Sequence, residues 1–150
     1  MSNSCCNDQE PDLDNICPGC EKRAVNIQTV KAMVNLPLWE INPEDKFFYD
    51  DDVDSPIVYF STHSGTIIDE KDVREKVFAK HRDEDDTYVC YCFQVTVGDL
   101  RQATPEERAE ILQRVASASG RGQCACKIRN PKGSCCLSDI KALIDEFNGQ

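Results

Sequence analysis

Residues 124–137 read CACKIRNPKGSCCL, which places four cysteines within thirteen residues. A second close group, CYC, occupies positions 90–92. Six thiols gathered in one half of a chain can serve disulfides, a zinc site, a redox-active dithiol or an iron–sulfur cluster. The rest of the sequence and the spacing of these cysteines allow the four alternatives to be ranked.

The chain has 150 residues, and its first fifteen, MSNSCCNDQEPDLDN, are polar and acidic. They lack the basic start and apolar core of a signal peptide. No run approaches the roughly 20 apolar residues that span a bilayer. We therefore expect a soluble, cytoplasmic protein without membrane contacts, in which clustered cysteines bind metal more often than they form stable disulfides.

The net charge of −10 divides unevenly, with −11 in residues 1–89 and +1 in residues 90–150. Residues 111–138 contain no Asp or Glu but five Arg or Lys. An acidic protein with only Tyr91 as an aromatic near this segment lacks the footprint of a nucleic-acid binder. We expect the basic residues to offset a buried anion at the cysteines instead. The sequence contains no Ser/His/Asp arrangement and no phosphate-binding glycine loop, so no motif in it indicates an enzyme.

The pattern along the chain predicts an α+β protein. Residues 1–15 are expected to be a disordered tail, followed by a small domain over 16–82 and a second domain over 88–150. The boundary falls at the charged stretch HRDEDDT, residues 81–87, which is equally well explained as a solvated loop with His81 exposed. In the first domain we predict a helix over 29–35 capped by Thr29, strands over 46–49, 56–61 and 74–79, and Trp39 in the core.

The second half has the signals of helices. Thr96 is a suitable cap for residues 97–103, and Thr104 with Glu107 forms a capping-box pattern for a helix to about residue 117. A last helix over 137–147 places four apolar residues on one face, namely Ile140, Leu143, Ile144 and Phe147. The cysteines therefore lie between and beside helices.

The spacing favours an iron–sulfur cluster. The thiols of a C-x-C pair do not readily bond to each other, a redox dithiol is usually C-x-x-C, and a four-thiolate zinc site uses two C-x₂₋₄-C knuckles. A 2Fe–2S cluster requires four thiolates, and helix N-termini at Thr96 and Leu137 would favour its negative charge. Spacing alone leaves Cys124 and Cys135 nearly as good as the other candidates.

The segments CYCFQVTVGDLR (90–101) and GQCACKIRNPKGSCCLSDI (122–140) resemble the cluster-binding module of the bacterioferritin-associated-ferredoxin type. The likeness is greatest to the form found in the N-terminal portion of CopZ-type copper chaperones. It implies a small mixed α/β, zinc-ribbon-like domain followed by a helical 2Fe–2S domain. It also implies which four cysteines bind the cluster, with the other two, Cys124 and Cys135, as bystanders or substitutes for them. The implied ligands are Cys90, Cys92, Cys126 and Cys136.

The same resemblance predicts a zinc site in the first domain. Cys17 and Cys20, in CPGC, form one knuckle, and the family's second pair of ligands falls in FFYDDDVDSPIVYF, residues 47–60. Asp50 stands at the first expected place and Asp54, or Ser55 beside it, near the second. Carboxylates can bind zinc. Cys5, Cys6 and His63 are further candidates, and a fold that persists without metal is the alternative.

The function implied is one-electron transfer through a 2Fe–2S cluster, linked to metal handling, with copper as one candidate. In the copper chaperones a separate domain with an M-x-C-x-x-C loop carries copper, and these 150 residues contain no such motif. Copper delivery is therefore not implied, and a role in copper handling for an unknown redox or metal-handling protein partner, such as reduction of Cu(II) to Cu(I), stays open. A redox- or metal-sensing module with a structural cluster is the alternative.

Overall fold

The computed structural model describes residues 22–149. Its first half contains a four-stranded antiparallel sheet in which each strand pairs with the next along the chain. The strands are β1 (Arg23–Val25), β2 (Phe47–Tyr49), β3 (Ile57–Phe60) and β4 (Ile67–Asp69). β-Branched and aromatic residues dominate these strands, as expected of a half-buried pleated surface.

Helix α1 (Ile27–Met33) follows β1 directly and begins at Asn26, whose side chain accepts the N–H of Gln28. The predicted cap, Thr29, is instead fully buried inside the helix. Single-turn 3₁₀ helices cover Leu38–Glu40 and Glu70–Asp72. The prediction of a cap at Thr29 was therefore wrong by three residues, because Asn26 is an equally good capping residue.

The second half begins with a hairpin of β5 (Tyr88–Cys90) and β6 (Val95–Thr96), which the sequence did not predict. Four helices follow: α2 (Val97–Gln102), α3 (Pro105–Gly120), α4 (Cys126–Arg129) and α5 (Leu137–Asn148). Complete capping boxes start α2 at Thr96 and α3 at Thr104. The predictions for these starts and for α5 are confirmed, whereas α3 continues three residues beyond its predicted end.

Within residues 22–149 the buried apolar side chains form two clusters. The first joins α1 to the inner face of the sheet and includes Val30, Phe47, Val58, Tyr59 and Ile68. The second joins the β5–β6 hairpin to α2, α3 and α5 and includes Val89, Leu100, Ile140, Leu143 and Phe147, with the thiols Cys90 and Cys136. The cysteines thus belong to the core of the second half. None of the helices described here has the length and apolarity needed to cross a membrane.

Buried Arg108, on α3, ties the ends of two other helices together. Its guanidinium donates to Leu100 O at 2.7 Å, to Arg101 O at 3.2 Å and to Asn148 Oδ1 at 2.6 Å. It also lies 5.4 Å from the centre of the Phe147 ring. A buried charge is tolerated when its donors are all engaged. The C-terminal ends of α2 and α5 are therefore joined by one side chain.

Two further predictions for the first half are wrong. Residues 74–79 form bends and turns rather than a strand, and Lys76 O and Phe78 N–H bond to the Tyr91 hydroxyl instead of to a neighbouring strand. Trp39 is 87% exposed, since the 3₁₀ turn directs Ile41 into the core in its place. Apolar composition alone did not distinguish these positions.

The charged stretch 81–87 is held by ion pairs. His81 Nε2 lies 2.5 Å from Glu70 Oε1, and its Nδ1 lies 2.6 Å from Glu84 Oε2. Lys76 contacts both Glu84 and Asp86, at 2.7 and 2.8 Å. The His81 side chain is 29% exposed and so is more enclosed than predicted. Burial lowers the pKa of His81, but the hydrogen bonds with Glu70 and Glu84 outweigh burial and leave the pKa raised.

This arrangement predicts a pH dependence of stability. A raised folded pKa gives stabilisation that is fully present below the unfolded pKa of about 6.5 and is lost as the pH rises through the folded value. We expect wild type to lose up to about 1 kcal/mol more unfolding free energy than His81→Gln between pH 6 and pH 8, since the groups are partly exposed. Urea unfolding at both pH values measures the difference, and parallel losses in the two proteins would contradict it.

Candidate metal centre

Two cysteines lie at the tip of the β5–β6 hairpin. Cys90 is the last residue of β5 and is fully buried, and Cys92 lies in the turn, partly exposed. The two residues are neighbours at the tip, since the N–H of Cys92 contributes to the lowered pKa of the Cys90 thiol. Gln94, with φ of 58°, completes the turn in the left-handed region. The hairpin therefore presents both thiols together.

Tyr91, between these cysteines, fixes the hairpin tip to the first half. Its hydroxyl donates to Lys76 O at 2.5 Å and accepts the N–H of Phe78 at 2.9 Å. Its ring contacts that of Tyr88 edge-on, with centroids 5.8 Å apart. A buried phenol with both hydrogen-bonding roles satisfied is held in one position. The turn at residues 76–78, mistaken for a strand in the sequence, is therefore the support for the C-x-C pair.

The other four cysteines of the second half lie in the cysteine-rich loop over residues 124–136. Cys126 is the first residue of α4 and Cys136 immediately precedes α5, and each is 2% exposed. Cys135 is also buried, and its Sγ accepts the N–H of Leu137 at 3.4 Å. Cys124 lies two residues before α4 and is partly buried. The loop thus places one thiol at the start of each of two helices.

Four thiols lie close to one another. Cys92 Sγ lies 3.6 Å from Cys126 Sγ. Cys136 is near enough to Cys126 and to Cys90 to lower the pKa of each. The order of neighbours is Cys92, Cys126, Cys136, Cys90. The structure brings together the four residues that the family resemblance assigned as ligands; their role as ligands stays a prediction.

The thiols also receive backbone N–H groups. Ala125 N–H donates to Cys92 Sγ at 3.0 Å. The N–H groups of Phe93 and Cys92 point at Cys90, and the N–H of Cys136 points at Cys126. Such donors stabilise sulfur that carries negative charge. N–H groups of the hairpin turn and of the cysteine loop therefore act on the thiols, whereas at Thr96, the predicted helix start, the N–H bonds to Asp99 Oδ2.

The electrostatics favour ionisation of the central thiol. Hydrogen bonds from the Cys136 and then the Cys92 thiol lower the pKa of Cys126, and the charge of Lys132 adds to the effect. The same contacts raise the pKa of Cys136 and of Cys92, because their protons are held by Cys126. Lys132 is itself paired with Asp139 at 2.7 Å. The site is therefore prepared to carry thiolate charge at its centre.

The first half anchors the cysteine loop. Thr29 Oγ1, on α1, donates to Lys127 O, and the hydroxyl of Tyr59, on β3, donates to Pro131 O, each at 2.5 Å. Both side chains are fully buried. Gly133 lies so close to α1 that a Cβ there would be 2.8 Å from Thr29 Oγ1. α4 and the start of the loop therefore rest on the sheet-bearing half.

The carboxylates predicted to bind zinc are both described. Asp50 is buried, with Oδ1 accepting Asp52 N–H and lying 3.3 Å from Lys22 Nζ, and Oδ2 accepting the Ser55 hydroxyl. Burial raises the pKa of Asp50, but these partners outweigh burial and leave it lowered. Asp54 is exposed. Zinc bound by Asp50 would replace Lys22 as its partner. Cys17, Cys20, Cys5, Cys6 and the tail lie outside the described residues, so the zinc site stays a prediction.

Among residues 22–149, no three His, Cys, Asp or Glu side chains converge on one position for a single metal ion. The four thiols instead form a row in which each neighbours the next. This arrangement comes from two separate elements, a hairpin tip and a helical loop, whose meeting could not be derived from spacing.

The chain is similar in structure to the N-terminal domain of CopZ from Archaeoglobus fulgidus. The match to the X-ray structure of that domain has a TM-score of 0.60 and 28% sequence identity. It covers 85% of this chain and 96% of the CopZ domain, so it includes both halves described above. No family model and no curated protein matches the sequence. The α+β fold of this chain is thus one that the CopZ N-terminal domain shares.

Proposed function

We propose that Cys90, Cys92, Cys126 and Cys136 bind a 2Fe–2S cluster and that the protein is a one-electron carrier. The observation that carries this proposal is the proximity of these four thiols, which a hairpin and a helical loop bring together. Four cysteine thiolates are the usual ligand set of such a cluster. Similarity to the CopZ N-terminal domain supports the same assignment, because the family resemblance places its cluster ligands at these positions.

The residues present fit the group. Three of the thiols are 2% exposed or less and Cys92 is partly exposed, so one edge of the site faces solvent. A bound cluster would supply reversible one-electron chemistry. The chain itself holds the thiols in place, donates N–H groups to them and excludes water from all but the Cys92 edge. Burial and N–H donors are two means by which a protein sets the potential of such a centre.

We further propose that this electron transfer serves metal handling, with reduction of copper as one candidate. The support is the likeness to the CopZ N-terminal domain, together with the family resemblance of the cysteine segments. The partner would be a redox or metal-handling protein. The reduced thiols that the site requires are those of a reducing compartment such as the cytoplasm.

The test is the visible absorption of protein purified without oxygen, before and after dithionite. We expect charge-transfer bands that bleach on reduction and return on reoxidation, with iron and acid-labile sulfide in equal amounts. A protein that remains colourless after cluster reconstitution would overturn the proposal and leave zinc or thiol chemistry for these cysteines. A cluster that cannot be reduced, or that is lost reversibly under mild oxidant, would favour the sensing or structural role.

A further inference from the structure

Positive charge is concentrated beside the proposed cluster site. Residues 111–138 contain five basic and no acidic residues in a chain whose net charge is −10. α1, which packs against α4, adds Lys31 and no acidic residue. The acids lie mainly elsewhere, in stretches such as 50–54 and 83–86. The charge of the molecule is therefore segregated by sign.

Most of these cations have no anionic partner in the part of the chain that is described. Arg114, Arg121, Lys127 and Arg129 are exposed, and no carboxylate among residues 22–149 lies within 4 Å of them. Lys132 differs, because it pairs with Asp139. Elsewhere, Lys22, Lys76, Arg82 and Arg101 all have carboxylate partners. The charge beside the cysteines is thus available to a partner.

Two of these cations lie beside the site. Lys127 and Arg129 follow Cys126, the first residue of α4, within one helical turn, so they lie within about 5 Å of it along the helix axis. Cys126 is in contact with Cys92, the partly exposed thiol. Ile128, between the two cations in α4, is 51% exposed. We call the exposed surface of α4 formed by Lys127, Ile128 and Arg129 the basic face.

We propose that the basic face docks an electron-transfer protein whose own redox group is surrounded by acidic residues. This inference rests on the proposed function and names the chemistry of its partner. Opposite charges around two redox centres steer the encounter and raise the association rate, and the effect declines with salt. An exposed Ile128 among cations provides a small apolar contact at the centre, as suits a transient interface.

Cytochrome b5, an acidic haem protein, is a suitable probe of this docking. Basic cytochrome c has the opposite surface charge and serves as the comparison. One electron passes from the reduced protein to ferric haem, which becomes ferrous, and no bond or proton is transferred. We expect the rate with cytochrome b5 to decrease as salt increases. The variant Lys127→Glu/Arg129→Glu should decrease the low-salt rate about tenfold or more. The matched control, Lys71→Glu/Arg74→Glu, changes the net charge equally on exposed residues outside the two cysteine segments and should have a much smaller effect.

Carbodiimide crosslinking gives a readout that does not depend on electron transfer. It joins a lysine amine to a carboxylate in contact with it, so Lys127 should be linked to cytochrome b5 and Lys71, which is highly exposed, should not. A colourless protein that still crosslinks through Lys127 would contradict the proposed function but support the docking face. A protein that cycles electrons, with rates insensitive to salt and to Lys127→Glu/Arg129→Glu, would overturn the docking face alone.

Two other occupants are tested with the same variants. Binding of a duplex DNA oligonucleotide at about 0.15 M salt that is lost in Lys127→Glu/Arg129→Glu would assign the face to nucleic acid and overturn the proposal. Self-association in sedimentation experiments that the same variant abolishes would assign it to the acidic surface of a second copy, with the same consequence. A monomer that does not bind the duplex supports the acidic redox partner.

Discussion

Replacing Cys126 with serine is expected to abolish the visible absorption of the protein and to lower its bound iron at least about tenfold. Cys126 contacts Cys92 and neighbours Cys136, so its removal takes the central member from the set of four. Serine keeps the size of the side chain but offers an oxygen of much higher pKa. The measurement is iron content and absorption after reconstitution without oxygen.

Cys135→Ser is the matched control, because Cys135 is equally buried and adjacent to Cys136. Its Sγ accepts an N–H from the start of α5, and its replacement should leave the absorption intact. If Cys135→Ser lost the iron while Cys126→Ser kept it, the ligands would include Cys124 and Cys135, the alternatives that spacing alone left open. Parallel losses of secondary structure, followed by circular dichroism, would show instead that folding was affected.

Replacing Gly133 with alanine is expected to lower the free energy of unfolding by roughly 2–4 kcal/mol. Gly133 has φ of 75°, which costs an L-residue about 1 kcal/mol, and a Cβ there would also lie 2.8 Å from Thr29 Oγ1 and 3.3 Å from a methyl of Val25. The loop would have to withdraw from α1. Urea unfolding of the protein as purified measures the loss.

Gly65→Ala separates these two causes. Gly65 has nearly the same φ, 77°, but nothing lies within 4 Å of the position of its Cβ, so only the backbone cost of about 1 kcal/mol should remain. In a Thr29→Ala background, Gly133→Ala should cost less than in wild type, because Oγ1 and Cγ2 of Thr29, the two nearest atoms that oppose the new methyl group, are gone. Equal losses for Gly65→Ala and Gly133→Ala, or strict additivity with Thr29→Ala, would contradict the proposed close contact.

The sequence was most informative where a local rule decides the structure. Thr96 and Thr104 start helices because their hydroxyls, with a carboxylate three residues later, satisfy the free N–H groups of the first turn. The face of α5 follows from the apolar spacing of Ile140, Leu143 and Phe147. For the cysteines, spacing favoured an iron–sulfur cluster over the other kinds of site. Only the family resemblance selected four of the six cysteines as its ligands.

What could not be predicted depends on contacts between distant residues. The pattern at 74–79 resembles a strand, but the backbone of Lys76 and Phe78 bonds to the distant Tyr91 hydroxyl instead of to another strand. Trp39 has no local feature that marks it as exposed. Arg108 gives no sign in the sequence that it is buried, since its three acceptors come from the ends of α2 and α5. Tertiary packing decides each of these cases.

The two hydroxyl bonds that hold the cysteine loop have a consequence for how the protein folds. They join Thr29 to Lys127 and Tyr59 to Pro131, across 98 and 72 residues of chain. Contacts of such long separation form late, because a large loop of chain must close first. During synthesis the sheet-bearing half leaves the ribosome well before residues 124–136. The cysteine loop therefore reaches its final position only after α1 and β3, which hold it, have formed.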